Sequence, residues 1–108
     1  MDYDKPRIHM LVEDMVALDI PVFSYKTYKK DAFIKASYTL HACRDLEKYI
    51  FEKMGDDDSI SANSLCDILL EYSDIAKSYQ VYAGRNGVIF GIMYDAAMTV
   101  FDVVCHSG

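Results

Sequence analysis

Asp95, Thr99, Asp102 and His106 recur at i, i+4, i+7 and i+11 in the last part of the chain. A helix through them carries all four on one narrow face. Asp102 and His106 stand one turn apart near the expected end of that helix, where a protonated imidazole is favoured. An acid–histidine pair of this kind can polarise a water or a hydroxyl. That chemistry would make the chain a small enzyme or a ligand-binding helical bundle. No serine or cysteine sits in a nucleophile-elbow context, however, and no oxyanion loop is apparent. The stripe is therefore read as a polar seam, wet or hydrogen-bonded to neighbouring helices, and no catalytic residue is assigned.

His9, His41 and His106, with Cys43 and Cys105, are the soft metal ligands. His41-x-Cys43 and Cys105-His106 lack the spacing of a zinc knuckle or finger. On a helix, residues 41 and 43 point about 200° apart and cannot share one ion. Asp56-Asp57-Asp58 before Ile60-Ser61 has the look of a calcium loop, but the alignment fails. It sets Lys53 where the first carboxylate belongs, Asp58 where glycine belongs and Ser64 where a bidentate glutamate belongs. The triplet reads as a solvated acidic turn favouring the N-terminus of the next helix. Gly84-Arg85-Asn86-Gly87 lacks the Gly-Lys-Ser/Thr of a phosphate loop and reads as a connector. No metal and no cofactor is expected.

Cys43, Cys66 and Cys105 form an odd set with long spacings, unlike a disulfide scaffold. They are expected to be buried free thiols in a reducing compartment, which gives a cytoplasmic location. The N-terminus shows no basic segment followed by an apolar core, so no secretory signal is read. No run of apolar residues is long enough to span a membrane.

The net charge is −6, which disfavours general binding to nucleic acid. It is unevenly spread: −3 over residues 1–21, +3 over 22–54 and −6 over 55–108. The basic stretch holds Tyr25-Lys26-Thr27-Tyr28-Lys29-Lys30 and Lys35, an interleaving of cations and aromatics that single-stranded nucleic acid can use. Direct nucleic-acid binding through Lys26, Lys29, Lys30 and Lys35 is the weaker alternative in so acidic a chain. The acidic stretch holds Asp56, Asp57, Asp58, Asp67, Glu71 and Asp74, a candidate partner-binding face. The chain has nine tyrosines and no tryptophan, a bias that suits core edges and interfaces alike.

The elements that must position these groups follow from apolar periodicity and punctuation. The chain has 108 residues, 52% hydrophobic and 26% charged, enough for one globular domain over residues 1–108. Pro21, Gly55 and Gly84–Gly87 divide it into four helical segments. The first covers about residues 5–19, with Asp4 as cap and Ile8, Leu11, Val12, Met15 and Leu18 on one face. The second covers about residues 29–54, with Cys43, Leu46, Ile50 and Met54 on its apolar face and Gly55 at the left-handed C′ position. The third begins at a Ser61 cap and places Leu65, Leu69, Tyr72, Ile75, Ala76 and Tyr79 on one face. The fourth, residues 88–105, is apolar nearly all round, as expected of a helix central in its bundle or facing a second subunit.

The fold class is thus all-α, a compact bundle of about four helices with short loops. The alternative is an α+β chain with a hairpin at Arg85-Asn86-Gly87, since Asn-Gly between apolar runs is a turn signal. The function class that fits is a non-enzymatic protein–protein interaction module. Its most concrete form is a small acidic regulator or inhibitor occupying a basic, nucleic-acid-binding site on a target protein. Phage-encoded anti-CRISPR inhibitors are similar in size and charge, a likeness carried by those two properties and by no motif. The apolar fourth helix predicts a homodimer as well, with Ile92, Val100 and Val104 as candidate self-association residues.

Overall fold

The computed structural model of the chain describes residues 2–17, 32–82 and 87–106, with side chains over 2–14, 40–79 and 90–106. The elements in chain order are β1 (Asp2–Asp4), α1 (Lys5–Ala17), α2 (Ala32–Met54), β2 (Ser59–Ser61), α3 (Ala62–Tyr82) and α4 (Gly87–His106). The four-helix bundle is present as expected. α3 runs through Tyr82 and α4 starts at Gly87, so the flanks of Arg85-Asn86-Gly87 are helical and form no hairpin. Residues 83–86, Pro21 and the lysines at 26, 29 and 30 lie outside the described residues, as does the side chain of Lys35.

Strand structure appears elsewhere. β1 and β2 pair antiparallel, with Tyr3 opposite Ile60 between Asp2–Ser61 and Asp4–Ser59. Both strands read polar–apolar–polar, so the two central side chains face inward and Tyr3 is buried. The Arg7 guanidinium covers the Tyr3 ring at 4.3 Å. Each strand runs straight into a capped helix. The Arg7 amide donates to Asp4 Oδ1 at 2.8 Å, and the Ser64 amide to Ser61 Oγ at 3.2 Å. These are N-cap bonds that satisfy otherwise orphaned first-turn donors. The Lys5 amide extends the ladder by donating to the Asp58 carbonyl at 3.2 Å.

Gly55 ends α2 with φ of +61°, the left-handed conformation that the punctuation predicts. Its amide donates to the Phe51 carbonyl. α3 and α4 pack more extensively than any other pair. They are antiparallel, since Cys66 and Cys105 meet at one end while Tyr79 stacks on Phe90 at the other, ring centroids 5.4 Å apart. The core takes Ile8 and Val12 from α1, Cys43, Leu46, Ile50 and Met54 from α2, Leu65, Leu69 and Tyr72 from α3, and Ile92, Ala96, Val100 and Val104 from α4. The spacing of four along α4 keeps its buried row against the other helices, which makes it the central helix. Tyr72 anchors α3 to α2: its hydroxyl donates to Asp45 Oδ2 at 2.8 Å, and its ring meets Tyr49 edge-on.

Candidate functional site

The candidate acidic residues fall into two exposed groups, one where α2 stops and one along α3. Asp56, Asp57 and Asp58 follow Gly55 in a tight turn in which the Asp57 amide donates to the Met54 carbonyl, and all three side chains are exposed. Asp67, Glu71 and Asp74 are also exposed, and their i, i+4, i+7 spacing puts them on one face of α3. Lys53 joins the two groups, its Nζ lying 3.0 Å from Glu71 Oε1. Asp56 is therefore no more than about 11 Å of chain from a residue in contact with the α3 row. The Glu71 carboxylate raises the Lys53 ammonium above the usual lysine range, and Lys53 also lies over the Tyr49 ring at 5.4 Å. Burial pushes the Tyr49 phenol up. Its hydroxyl makes no hydrogen bond of ordinary geometry, although Glu71 and Lys53 flank it. Among the described residues, Glu71 alone of the six acids takes an ion pair.

A second feature lies between α1 and α2, a cleft of about 490 Å³. Its apolar wall is Val12, Leu40 and Phe51, with the Cys43 thiol; its charged rim is His9, Glu13, Arg44, Glu47 and Lys48. His9 Nδ1 lies 2.9 and 3.0 Å from the two Glu47 carboxylate oxygens, and Nε2 lies 3.2 Å from Glu13 Oε1. The Glu47 hydrogen bond, then its charge, holds the imidazole above its ordinary pKa. In the protonated ring both nitrogens donate, and the bond from Nδ1 to Glu47 latches α1 to α2. Among the described residues, no three His, Cys, Asp or Glu side chains are arranged to hold a metal. In the sequence His9 stands out only as a metal candidate. Its i, i+4 relation to Glu13 was visible; its pairing with Glu47 depends on helix packing and was not.

The Asp95–His106 stripe is divided by the bundle. Asp95 is half-buried, and burial raises its carboxyl above the usual range. The Thr99 hydroxyl donates back to the Asp95 carbonyl at 2.7 Å. Asp102 and His106 are exposed, and none of the four lines the α1–α2 cleft.

Two expectations need correction. Ile92, Val100 and Val104 were candidates for self-association, but they are 0%, 1% and 2% exposed within the single chain. They face the other helices and supply no surface for a second copy. Among the described residues, the exposed large apolar side chains of α3 and α4 are Leu70, Ile75, Tyr79 and Val103. The three thiols were expected to be buried. Cys43 is, and burial pushes it up to about 11, but Cys66 is half-buried and Cys105 exposed because it lies at the outer end of α4.

No family model, curated protein or solved structure matches the chain. Among the described residues, no helix is long and apolar enough to cross a membrane.

Proposed function

We propose that this protein is a non-enzymatic interaction module, a small acidic regulator that occupies a basic, nucleic-acid-binding site on a target protein. The observation that carries the reading is the acidic set from Asp56 to Asp74. It holds six exposed carboxylates, five of them without an ion pair among the described residues. Keeping like charges together costs self-repulsion that a mixed surface avoids, and a basic partner would offset it. Asp67, Glu71 and Asp74 span about 10 Å along α3, roughly the axial length of three nucleotides in one DNA strand. Glu71 is paired with Lys53, so Asp67 and Asp74 are the acids of this row left to meet a phosphate-binding site, at a lower charge density than a DNA strand and supplemented by Asp56, Asp57 and Asp58.

The test uses two forms of the full chain: wild type, and a variant carrying Asp56→Lys, Asp58→Lys, Asp67→Lys and Asp74→Lys. Each is used to capture proteins from the native host, with and without duplex DNA as competitor. The expected result is a basic protein held by the wild type, lost with rising salt, lost on charge reversal and displaced by DNA. A partner that binds both forms equally, or that binds DNA and this chain together, would overturn the reading. Circular dichroism of the variant checks that the bundle is intact.

A further inference from the structure

The two partly exposed thiols lie together at the open end of the α3–α4 pair. Cys66 Sγ and Cys105 Sγ are 3.4 Å apart, close enough to share a hydrogen. Cys66 is the fifth residue of α3, and Cys105 is the last but one of α4. A disulfide needs about 2.05 Å between sulfurs, so the gap must close by about 1.4 Å. The terminal turn of a helix frays readily and can make such an adjustment. Oxidant can reach the pair because Cys105 is exposed, whereas Cys43 is shielded in the core.

We propose that Cys66 and Cys105 form a redox-active dithiol, which a small-molecule disulfide of the glutathione type oxidises to a bridge between α3 and α4. The exposed Cys105 reacts first. Its thiolate attacks one sulfur of the small disulfide, breaking that S–S bond, expelling one small thiolate and leaving a mixed disulfide on Cys105. Cys66 then releases its proton to solvent and attacks the Cys105 sulfur, expelling the second small thiolate. Two protein thiols are oxidised to one disulfide, and one small disulfide is reduced to two thiols. Desolvation, with the hydrogen bond to Cys105, pushes the Cys66 thiol up to about 11. The bond to Cys105 is lost once that sulfur carries the adduct, but desolvation remains, so the second step still waits on a minority thiolate and quickens as pH rises.

The experiment incubates the reduced full chain with glutathione disulfide and follows intact mass and peptide maps over time and pH. A transient glutathione adduct on Cys105 is expected first. It gives way to a monomer lighter than the reduced chain by two hydrogens, in which the peptides of Cys66 and Cys105 are joined and Cys43 is still a thiol. The bridge should raise Tm by roughly 10 °C, and dithiothreitol should reverse this. Cys66→Ser should stop the reaction at the adduct on Cys105. A wild-type adduct that never resolves, covalent dimers in place of the bridge, or a bridge to Cys43 would each overturn the proposal. The wild-type map decides the matter alone should the variant fail to fold.

Discussion

Val100→Asp and Val103→Asp make a sharp test of how α4 faces, because they introduce the same charge three residues apart. Val100 is 1% exposed and Val103 is 39% exposed. Removing a fully buried valine forfeits about 1.5–3 kcal/mol of burial. The new carboxyl at position 100 must also be neutralised or left charged without water. Holding it protonated at pH 7 against an unfolded pKa near 3.9 costs about 4 kcal/mol. The sum, about 6 kcal/mol, is comparable to the whole stability of a domain of this size, about 5–15 kcal/mol. Val103→Asp should change stability by about 0.5 kcal/mol or less, the usual range for a surface site. Urea titration followed by circular dichroism at pH 7 should find Val100→Asp largely unfolded and Val103→Asp close to wild type. The Val100→Asp deficit should narrow as pH falls toward about 4, since the unfolded state then also holds the proton. A folded Val100→Asp protein with near-normal stability would refute the inward placement of that row. If its mass in solution also halved, α4 would be facing a second copy, as its composition alone allowed.

Gly55→Ala should cost about 1 kcal/mol in the same urea assay, with Gly55→Asn costing less. The residue has φ of +61° and open space where a Cβ would go, so backbone strain is opposed only by the reduced freedom of the unfolded chain. A loss above about 3 kcal/mol would mean that a packing contact had been missed. The His9 latch gives a pH dependence of definite sign. Its folded pKa lies above 6.5, so its contribution is complete below pH 6.5 and is lost as pH rises through the raised folded value. The stability difference between wild type and His9→Gln should therefore shrink from pH 6 to pH 9, with NMR titration of the ring reporting the raised pKa. A ring that titrates at or below 6.5 would refute the pairing with Glu47.

Local features were the most legible from sequence, because local chemistry fixes them. Asp4 and Ser61 cap the helices they precede, and Gly55 adopts the conformation that few other residues tolerate. The β1–β2 pair escaped because three residues carry too little pattern, and the alternation in Asp2-Tyr3-Asp4 matters only once Ser59-Ile60-Ser61 lies beside it. The Asn-Gly signal lost to the helical periodicity on both its flanks, which buries far more apolar surface than a lone hairpin can. Long-range ion pairs followed the same limit: Lys53–Glu71 and His9–Glu47 join different helices, and nothing in either helix names its partner.

The two candidate surfaces show why composition ranks them poorly. An apolar helix face has the same sequence whether it meets its own bundle or another subunit. On α4 the buried row at 92, 96, 100 and 104 was indistinguishable from an interface until the other helices covered it. Exposed carboxylates behave differently, since burying an unpaired charge is costly and the chain has little choice but to leave them in water. Their exposure could be read from sequence, but not how many would be neutralised within the fold. Lys53 reaches Glu71, and Lys5 turns its Nζ to the Gly55 carbonyl rather than to Asp56, Asp57 or Asp58. Among the described residues, five of the six acids are thus left without an ion pair. That residual charge, and not the acidic composition as such, is the property a basic partner would recognise.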